Sequence, residues 1–136
     1  MLRPLSKIRQ DAIKAGFRSG FEKDLAASLR KSGIKFKYEQ LKIKWIDPSE
    51  KTYTPDFVLG NGVIIEAKGR LTTSDRKKHK LIQKLHGGLY DIRFVFQNPY
   101  AKLRKGSKTT YAKWADQHGF LWADRVIPKE WTEEQK

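Results

Sequence analysis

The sequence has 136 residues, is 38% hydrophobic and carries 29 basic against 15 acidic side chains, a formal net charge of +14. At that length we expect one domain, and that charge indicates a polyanionic partner, the alternative being a protein that is merely soluble and basic. The absence of cysteine excludes disulfides and thiolate metal sites. The sequence has neither an apolar run of membrane-spanning length nor the apolar core of a signal peptide, which predicts a soluble intracellular protein.

Residues 1–18 form a basic segment in which Asp11 is the one acidic residue. We predict an arm that is disordered until it meets phosphate groups, followed by a single domain over residues 19–136. The alternative is a terminus without a binding role. The basic residues of this arm, all candidate phosphate contacts, are Arg3, Lys7, Arg9, Lys14 and Arg18.

A helix is predicted over residues 20–32. Ser19 and Glu22 have the spacing of an S-x-x-E capping box at its start, and Gly33 supplies a stop signal at its end. The apolar residues between them recur at helical spacing: Phe21, Leu25 and Leu29.

Alternating residues predict strands after this helix. Residues 34–39 alternate strictly, and the pattern continues over residues 41–45, which gives a second strand or one long bent strand. Residues 47–50, Asp-Pro-Ser-Glu, have the sequence of a type I turn.

The middle of the chain contains the clearest hairpin signal. Two apolar segments, 54–59 and 63–68, flank Gly60-Asn61-Gly62. A right-handed crossover from residues 63–68 to a parallel strand would follow, so we expect an α/β fold with a mixed sheet. The further predicted elements are a helix from Ser74 or Asp75 to about Leu85, a strand at 91–97, a loop, a helix at 110–118 and a short strand at 120–124.

Three charged residues stand in this hydrophobic hairpin: Asp56, Glu66 and Lys68. A three-residue loop would place Asp56 directly across from Glu66, where two unshielded carboxylates repel, whereas a two-residue loop would displace Asp56 by one position. A divalent cation between them removes the conflict, and Mg²⁺ suits such a pair. Lys68 shares the Glu66 face and could orient or help to deprotonate an attacking water, or stabilise charge at phosphorus.

Each of these short patterns also has an ordinary structural explanation. Pro-Asp is common in turns, and an isolated Glu-x-Lys on an edge strand is usually a solvated face. Their combination in a chain of this charge favours phosphodiester hydrolysis instead. Other chemistries fit poorly, because no phosphate-binding loop is complete and the histidines lack zinc spacing: His79, His86 and His118.

The Pro-Asp at 55–56 and Glu-Ala-Lys at 66–68 resemble the P-D…(D/E)-x-K signature of restriction-endonuclease-like nucleases. More extensive blocks resemble the phage endonuclease I family, which resolves Holliday junctions. In chain order these blocks are FRSGFE at 17–22, YTPDF at 53–57, DRKKH at 75–79, LRKGS at 103–107 and IPKEW at 127–131.

The resemblance implies a restriction-endonuclease-like mixed β-sheet flanked by helices, in an intertwined homodimer that exchanges part of its sheet. It adds Glu22 and the Ala67 carbonyl to Asp56 and Glu66 as metal ligands, and it makes Lys68 catalytic. We expect two-metal hydrolysis with ions about 3.5–4 Å apart, Mg²⁺ or in its place Mn²⁺, and products with 5′ phosphates. It also implies a phage protein that acts on branched DNA in the cytoplasm of the bacterial host, without a membrane or a small-molecule cofactor.

Two further basic clusters are candidate DNA contacts, since phosphate contacts position DNA without reading its sequence. Solvated helix or loop faces are the alternative for both. Besides junction resolution, two hypotheses stay open: a restriction-like nicking or repair nuclease, and a non-catalytic architectural DNA-binding protein. The cluster residues are Arg70, Arg76, Lys77, Lys78 and Lys80, and then Lys102, Arg104, Lys105 and Lys108.

Overall fold

The computed structural model describes residues 16–46 and 49–135. These residues fall into two compact units, one ending at Lys35 and the other beginning at Phe36. All but the last three residues of the predicted arm lie outside the described ranges, and the predicted turn at 47–50 is described only in part. The division into an arm and one domain therefore stays a prediction.

The first unit contains helix α1, Gly20–Lys31, which confirms the predicted helix. Ser19 is its N-cap: the hydroxyl accepts a hydrogen bond from the Glu22 N–H at 3.1 Å and donates one to the Glu22 carboxylate at 3.2 Å. Gly33 follows the helix with φ of +72°, a left-handed conformation that glycine adopts without strain.

The second unit contains the strands. Among its described residues these are β1 Phe36–Tyr38, β2 Ile43–Ile46, β3 Glu50–Tyr53, β4 Phe57–Leu59, β5 Ile64–Lys68, β6 Ile92–Phe96 and β7 Trp122–Asp124. Its helices are α2 Thr73–His86, α3 Tyr111–Gln117 and α4 Lys129–Glu133.

Five of these strands form one mixed sheet within the described part of the chain, in the order β1-β4-β5-β6-β7. The pairs β1–β4 and β4–β5 are antiparallel, whereas β5–β6 and β6–β7 are parallel. Strands β2 and β3 pair separately as an antiparallel hairpin. The predicted mixed sheet and the parallel crossover through α2 are therefore confirmed.

The β4–β5 hairpin has the predicted three-residue loop. The Leu59 N–H donates to the Val63 carbonyl at 2.8 Å, and Phe57 pairs with Ile65. Gly62 has φ of +92°, which explains a glycine at the last loop position.

Both faces of this sheet are buried along the hairpin. On one face Ile64 joins a core with Phe94 and Phe96 of β6 and with side chains of α2 and α3. The other face carries four buried side chains: Phe57, Leu59, Val63 and Ile65. Apolar packing on both sides therefore fixes the strands that carry the charged residues.

The structure differs from prediction at three elements. Helix α2 begins before Ser74, because Thr72 is its N-cap and forms a complete capping box with Asp75. Strand β3 and helix α4 had no sequence signal: three of the four β3 residues are exposed, and α4 has only five residues. None of the helices within the described residues is long and apolar enough to span a membrane.

Candidate active site

Two buried carboxylates face each other where strands β4 and β5 leave the core. The hairpin register places Asp56 across from Glu66, as predicted, and each residue is only 4% exposed. The Asp56 carboxylate also accepts a hydrogen bond from the Ala67 N–H at 2.9 Å. Since burial of facing carboxylates is unfavourable without positive charge, this arrangement suits the binding of a cation.

The backbone at Ala67 offers an oxygen beside this pair. Lys68, the next residue, uses its carbonyl to accept from Gln97 on the β6 side, so the alternation of a strand turns Ala67 toward β4. The same register brings Pro55 opposite Ala67, and a proline has no N–H to donate. The Ala67 carbonyl is thus left without a backbone donor from that residue. Carboxylate and carbonyl oxygens are the ligands that Mg²⁺ prefers, so these residues fit the ion.

Lys68 forms two ion pairs, one with Glu66 and one with Asp75 of helix α2. Its ammonium lies 3.4 Å from Glu66 Oε1 and 3.0 Å from Asp75 Oδ1. Burial alone would lower the pKa of Lys68, but the Glu66 and Asp75 carboxylates outweigh it and raise the pKa above its ordinary value. The side chain is therefore an ammonium ion held beside Glu66.

Asp75 links this lysine to the start of helix α2. Its second carboxylate oxygen accepts from the Thr72 N–H at 3.0 Å, while its own N–H donates to the Thr72 hydroxyl. Burial would raise the pKa of Asp75, but Lys68 and the Thr72 N–H outweigh it and lower the pKa. The sequence indicated Asp75 as a helix-start residue, and its contact with Lys68 was not predicted.

Tyr53 is a second contact that sequence reasoning missed. Its hydroxyl donates a hydrogen bond of 2.7 Å to Glu66 Oε2, and the residue is 2% exposed. Burial, and then the charge of Glu66, raises the pKa of Tyr53 well above its usual value. The neutral phenol is thus a hydrogen-bond donor to the Glu66 carboxylate.

Glu39, at the end of β1, adds a further carboxylate near Asp56. Carboxylate oxygens of the two residues lie within 4.8 Å of each other, and the Glu39 N–H donates to the Asp56 carbonyl at 3.0 Å. Glu39 has φ of +50°, an unusual conformation for a residue other than glycine. In the sequence Glu39 is marked only as the polar residue that ends the alternating segment 34–39.

Glu22, the fourth predicted catalytic residue, lies in the first turn of α1 and is buried. Its hydrogen bonds with Ser19 account for its place at the helix start. Its role as a metal ligand stays a prediction.

The α2 cluster, which begins at Arg70 just before the helix, contains side chains that differ in exposure. Arg76 donates to the Leu71 carbonyl at 2.9 Å, and the Lys78 ammonium lies 5.3 Å from the centroid of the Tyr53 ring. The exposed members are Arg70, Lys77 and Lys80. Their contact with DNA stays a prediction, as it does for Arg18, which is also exposed.

The second basic cluster lies on an ordered loop. Lys102 forms an antiparallel bridge with Thr110, and the turn between them contains Gly106 with φ of +82°. This turn holds basic side chains in solvent, where phosphate groups could reach them: Lys102, Arg104, Lys105 and Lys108.

Comparison with known proteins gives a consistent result. The family model described as phage endonuclease I matches residues 5–136. The chain is 48% identical over 121 residues to Endonuclease I of Escherichia phage T7, and the aligned region covers 88% of this chain and 80% of that protein. It is also 48% identical over 121 residues to Endodeoxyribonuclease 1 of Enterobacteria phage T3, with 88% and 79% covered.

Proposed function

Because the chain belongs to the phage endonuclease I family, we propose that it is a divalent-metal-dependent endodeoxyribonuclease that selects and cuts branched DNA. The relatives named Endonuclease I and Endodeoxyribonuclease 1 support hydrolysis within a DNA strand. The observation that carries the proposal is the buried pair Asp56 and Glu66, facing each other beside the Lys68 ammonium.

The ligands of the proposed site are Asp56, Glu66 and the Ala67 carbonyl, with Glu22 as a further carboxylate. Mg²⁺ is the expected ion and Mn²⁺ a substitute, with two ions in each site. When bound, the ions would supply Lewis-acid activation of water and stabilisation of the leaving 3′ oxygen. The products would carry 5′ phosphates.

Lys68 acts as a cation in this proposal. Its ion pairs with Glu66 and Asp75 hold the ammonium at the rim of the carboxylate pair, where it would orient the attacking water and stabilise the charge that develops on the phosphate. Asp75 supports this role, because it fixes the lysine from the helix side.

Binding of DNA rests on the charge of the chain. A net charge of +14 gives an affinity for phosphate groups that falls steeply with salt. The exposed turn within residues 102–108 is the leading contact surface, with the α2 cluster and the basic arm as further candidates. Contacts of this kind suit an enzyme that recognises the shape of a junction rather than its sequence.

Resolution of a four-way junction requires two paired cuts and hence two active sites. We infer a homodimer, intertwined by exchange of part of the sheet, that acts in the cytoplasm of the infected bacterial host. An equimolar mixture of wild-type and Glu66→Gln chains, refolded together, should add singly nicked junctions to the doubly cut product. A mixture that yields only doubly cut junctions would contradict one site per subunit.

The main test measures cleavage of a four-way junction with Mg²⁺, and of the same sequences as linear duplex. Asp56→Asn, Glu66→Gln and Lys68→Ala should bind the junction but not cut it, whereas Glu130→Gln, at an exposed acid of α4, should cut like wild type. Cleavage by Glu66→Gln at the wild-type rate would refute the site.

The alternatives give different outcomes in the same experiment. Equal cleavage of duplex and junction would indicate a restriction-like nicking or repair nuclease with the same site. Junction binding without cleavage by wild type, with either Mg²⁺ or Mn²⁺, would indicate a non-catalytic architectural DNA-binding protein.

A further inference from the structure

One face of helix α2 contacts the groups that line the candidate site. Asp75, Lys78 and His79 have the i, i+3, i+4 spacing that puts side chains on one side of a helix. Asp75 binds Lys68 at 3.0 Å, whereas the other two contact Tyr53: the Lys78 ammonium lies 5.3 Å from its ring centroid, and the His79 ring lies 5.1 Å away, edge-on at 86°.

His79 contributes to this contact through packing. It is fully buried, and within the described part of the chain neither ring nitrogen has a hydrogen-bond partner. Its ring also meets Phe94 edge-on at 4.9 Å. Edge-on packing of this kind favours one orientation of the Tyr53 ring, the one in which the hydroxyl is directed at Glu66.

The two oxygens of Glu66 consequently have different partners. Oε2 accepts the Tyr53 hydroxyl at 2.7 Å, whereas Oε1 lies 3.4 Å from the Lys68 ammonium. A carboxylate held at one oxygen by a buried donor cannot rotate freely, so its other oxygen keeps a fixed direction.

We propose that Tyr53 is a positioning residue, whose hydroxyl orients the Glu66 carboxylate for divalent-cation binding, with His79 fixing the Tyr53 ring. The inference rests on the proposed metal-dependent function. It assigns to strand β3, which has no other apparent role at the site, the task of orienting a ligand on β5.

The expected effect follows from what such partners do at metal sites. Groups that orient metal ligands typically change metal affinity or activity by about 10–100-fold. Tyr53→Phe removes only the hydroxyl and keeps the ring that packs against His79, so the variant is expected to fold. Tyr111→Phe is the matched control, because Tyr111 is another buried tyrosine of the same core.

The measurement is calorimetric titration of the DNA-free protein with Ca²⁺, a divalent ion with oxygen ligands. Tyr53→Phe should raise the dissociation constant about 10–100-fold, and Tyr111→Phe should leave it unchanged. In cleavage assays the Mg²⁺ concentration at half-maximal rate should rise similarly for Tyr53→Phe, while saturating Mg²⁺ restores most of the rate. His79→Leu, which releases the ring but keeps the hydroxyl, should give a smaller loss of Ca²⁺ affinity in the same direction.

A double-mutant cycle tests whether Tyr53 acts through Glu66. Adding Tyr53→Phe to Glu66→Gln should cause no further loss of Ca²⁺ affinity. Additive losses would overturn the proposal, as would a Tyr53→Phe affinity equal to that of a wild type that binds Ca²⁺. If the wild type binds neither Ca²⁺ nor Mg²⁺, the proposed metal-dependent function fails and this inference fails with it.

Discussion

The two ends of the β4–β5 hairpin both bury charge, but in different arrangements. At the open end Asp56 and Glu66 carry the same charge and face each other, each only 4% exposed. The nearby ammonium of Lys68 is shared between Glu66 and Asp75. An apolar pair at these two positions would stabilise the fold more than facing carboxylates do.

At the turn end the buried charge is positive and is closely paired. Arg93, 3% exposed, binds Asp91 at 2.7 Å and also the Glu134 carboxylate, and hydrogen bonds with Asp91 are the leading reason that its pKa is raised. Asn61 of the turn donates to the Trp131 carbonyl at 2.8 Å and to the Glu134 carbonyl at 3.0 Å.

These two arrangements of buried charge serve different purposes: the turn end contributes to stability and the open end to function. Arg93 lies on β6 beside the turn end and pairs with opposite charge on partly exposed side chains. Its charge is therefore neutralised locally, and its bond to Glu134 ties the C-terminal segment to β6. The open end keeps like charges together, an arrangement that proteins retain where function requires it. Substitutions at the two ends should therefore affect different quantities.

The largest effect is expected at the open end. Glu66→Gln should lower single-turnover junction cleavage by more than about 100-fold, since even outer partners of metal ligands cost up to that much. The free energy of unfolding, measured with urea, should change little, because relief of the repulsion with Asp56 offsets the lost ion pair with Lys68 and the amide oxygen can still accept from Tyr53. A variant that unfolds readily but cleaves normally when folded would reverse the comparison.

The next effect is expected at the turn end. Arg93→Met should lower the free energy of unfolding by about 2–4 kcal/mol, below the usual cost of breaking a buried pair because both partner carboxylates keep partial contact with water. Cleavage by the folded fraction should be retained. Arg125→Met, at an exposed arginine 3.8 Å from Asp124, is the control and should cost under about 1 kcal/mol.

A pH dependence should be traceable to the open end. Burial, followed by the charges of Lys78 and Lys68, lowers the pKa of His79 well below 6.5. The folded protein thus holds His79 neutral while the unfolded chain protonates it, so this residue makes stability fall as pH drops below 6.5, by up to about 1.4 kcal/mol per pH unit. The unfolding free energy of the wild type minus that of His79→Leu should therefore decrease as the pH falls from 7.5 to 5. A constant value would contradict this.

The smallest effect concerns the C-terminal helix itself. The Lys129–Glu133 pair at 3.7 Å is exposed, so Lys129→Ala should change the free energy of unfolding by less than about 0.5 kcal/mol. Urea denaturation would detect a larger change, which would mean that α4 is held by its own pair rather than by Arg93 and Asn61.

Local signals predicted much of the fold. The Ser19–Glu22 box and Gly33 bounded α1, and Gly60-Asn61-Gly62 fixed the hairpin loop and with it the position of Asp56. Strand β3 was missed because Glu-Lys-Thr-Tyr lacks apolar alternation, and its strand form comes from pairing with β2, a tertiary effect that propensity does not report.

The same distinction explains which site residues could be predicted. Asp56, Glu66 and Lys68 lie on one hairpin, so their proximity follows from strand alternation. Tyr53 comes to the site from β3 and Glu39 from just after β1, and no local pattern records those contacts. The role of Asp75 beside Lys68 was hidden because a capping residue and an ion-pair partner look the same in a sequence.

The bonds from Asn61 to the C-terminal segment join residues 70 and 73 positions apart. During translation they can form only after residue 131 has left the ribosome, when every residue of the proposed site has already emerged. Contacts of such long sequence separation carry the cost of closing a long loop and tend to form late. The turn end of the hairpin is therefore expected to be secured in one of the last steps of folding.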